Sequence, residues 1–88
     1  MASYSIEFKP TLQKDFHSLP KSVFSRAWQK IQSLGDEPLP HGVTKLSGAD
    51  NLYRIRVGDY RVVYALDHDR RLVTIQYVRH RKEAYRNL

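Results

Sequence analysis

At 88 residues, with no cysteine and with 15 Lys/Arg against 9 Asp/Glu, the chain suffices for one domain (1–88) with a modest core and has no disulfide or thiolate chemistry. It has no apolar run of about 18 or more residues and no signal-peptide pattern, so the expectation is a soluble cytoplasmic protein without a membrane partner. The net charge of +6 is lopsided: residues 1–44 carry five Lys/Arg against four Asp/Glu, and residues 45–88 carry ten against five, eight of the ten being arginine. That side chain suits bidentate phosphate contact, which points to nucleic acid.

In chain order, residues 3–8 read as a first strand with Tyr4, Ile6 and Phe8 on one face. Pro10 suits a first helical turn, and Leu12, Phe16 and Leu19 follow at i, i+4, i+7. Pro20 closes that helix and opens the next. Val23, Ala27, Ile31 and Leu34 form its stripe, widened by Phe24 and Trp28, and Gly35 is placed as its C-terminal stop. Such a helix pair packs antiparallel on an apolar sheet face, with Trp28 read as core rather than as a stacking platform for nucleic acid. Residues 36–43 hold two prolines and a glycine and form a loop, in which His41 is read as solvated.

Residues 52–66 organise the rest. Apolar alternation on both sides of Gly58-Asp59 predicts a tight hairpin. Val57 then faces Tyr60, Arg56 faces Arg61, Ile55 faces Val62 and Arg54 faces Val63. Period-two geometry gathers Tyr53, Ile55, Val57, Tyr60, Val62 and Tyr64 on one face, and Arg54, Arg56 and Arg61 on the other. Like charges opposite one another are destabilising in a sheet, so Arg56 beside Arg61 invites an anion, most simply a phosphate.

Residues 72–78 make the last strand, with Val73, Ile75 and Tyr77 on the apolar face. A two-residue turn at His68-Asp69 would pair Tyr64 with Val73, Val62 with Ile75, Tyr60 with Tyr77 and Arg61 with Gln76. Five further residues separate Gln76 from Arg81, about 16 Å if extended. The strand end must then curl back, or the site must span several nucleotides. The tail beyond passes into a short helix or turn. The order β-α-α-β-β-β defines an α+β fold: an antiparallel-rich sheet with a helix pair on one face and a basic open face.

The four histidines are scattered and no metal motif, P-loop or serine-hydrolase context exists, so no metal or cofactor is expected. What remains is Arg54, Arg56, Arg61, His80, Arg81 and Tyr85. RNA supplies its own nucleophile, the 2′-OH. Cleavage then needs that proton removed, phosphate charge stabilised and the departing 5′ oxygen protonated. Arginines suit the second task; His80 or Tyr85 could act as acid or base. An exposed Arg61 head would make Arg61→Ala harmless to folding.

The segments Lys45-Leu46-Ser47-Gly48, Tyr53-Arg54-Ile55-Arg56-Val57, Tyr60-Arg61-Val62-Val63-Tyr64 and Val78-Arg79-His80-Arg81 with Tyr85 resemble the RelE toxins of the RelE/ParE superfamily. The Tyr-Arg-Val-Val-Tyr core belongs to the whole superfamily, while Arg61, Arg81 and Tyr85 favour its RNase branch. The resemblance implies a metal-independent, ribosome-dependent endoribonuclease, an mRNA interferase. It would cut mRNA in the ribosomal A site and inhibit translation until a cognate antitoxin wraps it, meeting operator DNA only through that complex. By motif, Arg61 would clamp the scissile phosphate, Arg81 stabilise or protonate the leaving group, and Tyr85 orient the substrate; Arg54, Arg56 and His80 would bind it. Arg54 and Arg56 stand where the best-known RelE has lysines. Arginine cannot lose its proton at neutral pH, so His80 becomes the first candidate base, unless the ribosome aligns the 2′-OH. The rivals are a ParE-like gyrase inhibitor and a non-catalytic RNA-binding module.

Overall fold

The elements follow as β1 (Ser5–Phe8), α1 (Leu12–His17), α2 (Lys21–Ser33), β2 (Thr44–Lys45), β3 (Leu52–Val57), β4 (Tyr60–Asp67), β5 (Leu72–His80) and α3 (Arg81–Ala84). This is a computed structural model, and it describes residues 3–48 and 50–84, without the side chains of 83 and 84. One sheet runs β1-β5-β4-β3-β2. Its β1–β5 pair is parallel and its other pairs are antiparallel. The α+β architecture is the expected one, with an added two-residue edge strand, β2, ahead of the hairpin.

Between helices and sheet lie Leu12 of α1, Val23, Ala27 and Ile31 of α2, Ile55 and Val57 of β3, Val62, Tyr64 and Leu66 of β4, and Val73, Ile75 and Val78 of β5. Pro20 is the N-cap of α2, as its fixed φ allows. One reading needs correction. Trp28 is not core: it is 39% exposed, because Val23, Ala27 and Ile31 take the centre of the stripe and Trp28 falls to its flank. Gly35 follows the C-cap Leu34, the position expected for the helix stop, without a positive φ. Its carbonyl accepts the Tyr4 N–H at 2.8 Å, and a Cβ there would lie 3.3 Å from the Tyr4 carbonyl oxygen. Glycine lets the chain entering β1 pass the end of α2.

The β3–β4 hairpin has the expected register, Arg56 opposite Arg61 and Ile55 opposite Val62. Gly58 takes φ +59°, the left-handed value a tight hairpin turn needs at its first central residue. The β4–β5 register differs from expectation. Asp67 pairs with Leu72, so four residues turn the chain instead of two. The Asp67 carboxylate accepts the Arg70 N–H at 3.1 Å, and Arg71 adopts φ 51°. Local side-chain bonding to the backbone thus stabilises a longer turn. Tyr64 then pairs with Ile75, but Val63 pairs with Tyr77, leaving Gln76 as a bulge. One extra residue reverses the alternation beyond it. Val78 enters the core, whereas Tyr77 moves to the face that carries the arginines.

Candidate nucleic-acid interface

The bulge decides what faces Arg61. Its partner on β5 is Arg79, not Gln76, and its partner on β3 is Arg56. Three arginines from three adjacent strands therefore share one rung, with backbones about 5 Å apart from strand to strand. The next rung on the same face is Arg54–Val63–Tyr77. Tyr77 carries the Arg79 guanidinium over its ring, 4.5 Å from the centroid, a cation–π contact that holds Arg79 on the sheet.

Arg61 is the most buried member. It is only 7% exposed, which corrects the expectation of a solvent-facing head. Its Nη1 donates to the Gly58 carbonyl at 3.1 Å and the Tyr60 carbonyl at 3.0 Å, so the hairpin turn itself orients the guanidinium. Its Nε is buried without a hydrogen-bond partner. Burial lowers its pKa, and Arg56, Arg54 and Arg81 lower it further, against a smaller opposing pull from Asp59. The side chain stays cationic at neutral pH. Held this way, a guanidinium with a spare donor among like charges is poised for an anion with several acceptor oxygens.

Arg81 does not need a curling strand to reach this group. The longer turn and the bulge advance β5 by three residues relative to the simple hairpin. The Arg81 N–H then donates to the Asp59 carbonyl at 2.7 Å, beside the β3–β4 turn, and Arg81 begins α3. The tail therefore returns to the rung at backbone level. Asp15 of α1 helps hold it: its carboxylate accepts the Val78 N–H at 3.1 Å, past the end of β1, where the edge of β5 would otherwise be unpaired.

The His80 ring lies against Tyr60, off the arginine rung. His80 pairs with Tyr60, their rings meet edge to face at 5.3 Å, and both line a cavity of about 170 Å³ with Asp15, Ser18, Val78 and Arg79. Tyr85 lies outside the described residues. Arg54, Arg56, Arg61 and Arg81 are brought together; His80 is on the other face. Arg79 and Tyr77 are members the sequence reading left out of the site. The signal was present in Val78, an apolar residue that strict alternation would have put on the basic face. Among the described residues, no three His, Cys, Asp or Glu side chains gather where they could hold a metal ion.

Comparison with known proteins agrees with the fold and extends it. Residues 6–85 match the family described as ParE toxin of type II toxin–antitoxin system, parDE. A Methanocaldococcus jannaschii protein named toxin RelE1 is 31% identical over 96% of this chain and 97% of its own length. Toxin RelG of Mycobacterium tuberculosis is 30% identical over 94% and 97%. The archaeal RelE–RelB complex of Pyrococcus horikoshii contains a chain that superposes with a TM-score of 0.80 at 32% identity, over 90% of this chain and 96% of that one. The family match carries the ParE name, and the two relatives carry the names RelE1 and RelG. With nearly its whole length matched, the chain belongs to the RelE/ParE family of toxins from type II toxin–antitoxin systems.

Proposed function

We propose that this toxin is an mRNA interferase: it cuts mRNA in the ribosomal A site, stops translation, and is silenced by a cognate antitoxin. The observation that carries this reading is the Arg56–Arg61–Arg79 rung, with Arg54 and Arg81 beside it and a spare buried donor on Arg61. The 2′-oxygen attacks the adjacent phosphorus as its proton leaves, the bond from phosphorus to the 5′ oxygen breaks, and that oxygen takes up a proton. The products are a 2′,3′-cyclic phosphate and a 5′-hydroxyl. Arg61 clamps the phosphate, Arg56 and Arg79 offset the charge that builds on it, and Arg54 holds the strand. Arg81 stabilises the leaving oxygen, and Tyr85 orients the substrate.

The described part of this face offers charge but no base. Its arginines keep their protons, and burial raises the Tyr77 phenol, which is therefore a neutral donor at pH 7. A site with so little proton-transfer capacity leans on alignment, which contributes up to about 7–11 kcal/mol when reacting groups are held in line. Free mRNA rarely holds its 2′-OH that way; a codon pinned by the ribosome does. The test is a primer-extension map of one transcript with and without programmed ribosomes at equal toxin concentration. Codon-positioned cuts only with ribosomes support the reading; equal cutting in both would make the site a self-sufficient RNase.

The ParE name on the matched family keeps a gyrase-directed toxin as the second reading. Blocked DNA supercoiling with intact translation would favour it.

A further inference from the structure

His80 ends β5 and stands immediately before α3. Its Nδ1 accepts the Lys82 N–H at 3.3 Å. That is the contact of a helix N-cap, a side chain accepting the second N–H of the helix it precedes. The helix runs only from Arg81 to Ala84, and a single turn is not stable on its own backbone bonds. Among the described residues, two bonds hold its start: the Arg81 N–H on the Asp59 carbonyl at 2.7 Å, and the Lys82 N–H on the imidazole. They keep Arg81 beside the rung, close enough for its charge to act on Arg61. Tyr60 meets the imidazole edge to face and steadies it.

Only one protonation state can make this cap. An Nδ1 that accepts carries no proton, so the proton of the neutral ring sits on Nε2. In the charged ring both nitrogens donate, and the Lys82 N–H loses its acceptor. A helix N-terminus also repels a cation. Imidazole is the side chain that ordinarily changes charge between about pH 5 and 8. A second partner for the charged ring lines the same cavity. Asp15 of α1 accepts the Val78 N–H through Oδ2 and keeps acceptor capacity to spare. Of the other groups around the ring, Ser18 and Tyr60 are neutral, Arg79 of β5 and Arg81 and Lys82 of α3 are cations, and Asp59 is the carboxylate of the hairpin turn. A charged ring is therefore drawn across the cavity toward Asp15 and away from α3.

We infer that His80 is a positioning residue for Arg81: as a neutral imidazole it caps α3 and holds Arg81 at the rung, and as a cation it turns to Asp15 and releases that helix. No proton passes between His80 and the substrate. The inference rests on the cleavage reading above, in which Arg81 serves the leaving oxygen. It makes the toxin sensitive to acid although the arginines of its rung keep their charge.

The test compares the parent with His80→Asn, which keeps a capping acceptor and does not titrate, and with His80→Leu, which has no acceptor. Cleavage is followed on programmed ribosomes from about pH 5.5 to about pH 8.5, on both sides of the ordinary imidazole range. At the alkaline end His80→Leu should be about tenfold slower than the parent, with His80→Asn rescued to within about threefold. At the acid end the parent should fall about tenfold relative to His80→Asn; taking the ratio removes the ribosome's own response to pH. An asparagine variant as slow as the leucine variant at alkaline pH would make His80 a base or a ligand of the substrate. Such a result overturns the inference and leaves the cleavage reading standing, as does a parent-to-asparagine ratio that ignores pH. A parent that cuts nothing on programmed ribosomes overturns the cleavage reading, and the inference with it. Should the variants fail to fold, the parent decides the matter in an NMR titration. The Lys82 amide signal should move with the same midpoint as the His80 ring signals, and that amide should lose protection from exchange on the acid side. A Lys82 amide that does not follow the His80 ring overturns the inference.

Discussion

Arg61 and Arg79 are direct cross-strand partners on the open face of the sheet, although 17 residues of chain lie between them. Like-charged neighbours in register repel, so the pair is held by other forces: the two carbonyls that accept from Arg61 and the Tyr77 ring beneath Arg79. The repulsion is relieved when an anion binds. Sulfate or pyrophosphate should therefore raise the melting temperature of the parent by binding only the folded state, and raise that of Arg61→Ala much less. Equal gains in both proteins would place the anion elsewhere.

Arg79→Ala should lower cleavage on programmed ribosomes by about 10²–10³-fold, the usual loss when one donor to a developing oxyanion is removed. Arg61→Lys should be nearly as damaging: Nη1 alone meets both carbonyls, and an ammonium placed there has no planar second edge to present to a phosphate. Circular dichroism should show both folded. Near-normal rates for Arg79→Ala would remove it from the rung's function.

Asp15→Ala removes the acceptor of the Val78 N–H. An unsatisfied strand-edge donor costs about 1–3 kcal/mol if it stays buried and less if water reaches it. The larger consequence is positional, because the same stretch of β5 holds Arg79 opposite Arg61. We expect reduced thermal stability, faster amide exchange at residues 78–80 and weaker cleavage; unaltered exchange there would show that α1 does not hold the strand.

Deleting Gln76 should be tolerated. The bulge residue has no partner on β4, and its removal leaves Tyr64–Ile75 and Val63–Tyr77 as consecutive pairs with every later side chain on its present face. The expected outcome is a folded toxin that still arrests growth. Loss of both would mean that the extra twist of the bulge, beyond the pairing, is required.

Tyr64 is fully buried and donates to the Pro38 carbonyl at 2.7 Å, tying the 36–43 loop to the sheet. Burial, reinforced by Tyr53, raises its pKa well above the ordinary phenol value of 10.0. The folded state thus favours the neutral phenol, so this contribution to stability is complete below about pH 10 and is lost as pH climbs toward the folded-state pKa. Tyr64→Phe should lose about 1 kcal/mol at pH 7 from the missing hydrogen bond, and then lose less than the parent above pH 10. Parallel denaturation curves from pH 7 to pH 11 read both effects.

The hairpin from Leu52 to Leu66, its register and the arginine face were legible in the amino-acid order, because a two-residue Gly-Asp turn and strict alternation leave one register that keeps Arg54, Arg56 and Arg61 out of the core. The second helix was legible for a similar reason: Val23, Ala27 and Ile31 recur at helical spacing between Pro20 and Gly35. Nothing so local specified the β4–β5 register. The side chain of Asp67 lengthened the turn, and the gap at Gln76 was settled by the preference of Val78 for the core beside Val62. That long-range choice is what put Arg79 opposite Arg61, brought Arg81 to the turn at Asp59 and sent His80 to the helix side. The burial of Arg61 is equally tertiary, since two neighbouring strands and the turn that closes one of them must be in place before its guanidinium has anywhere to dock. Trp28 shows the same limit. Helical spacing tells which stripe faces a sheet, but only the width of the layer actually covering that stripe decides which of its edge residues remain in water.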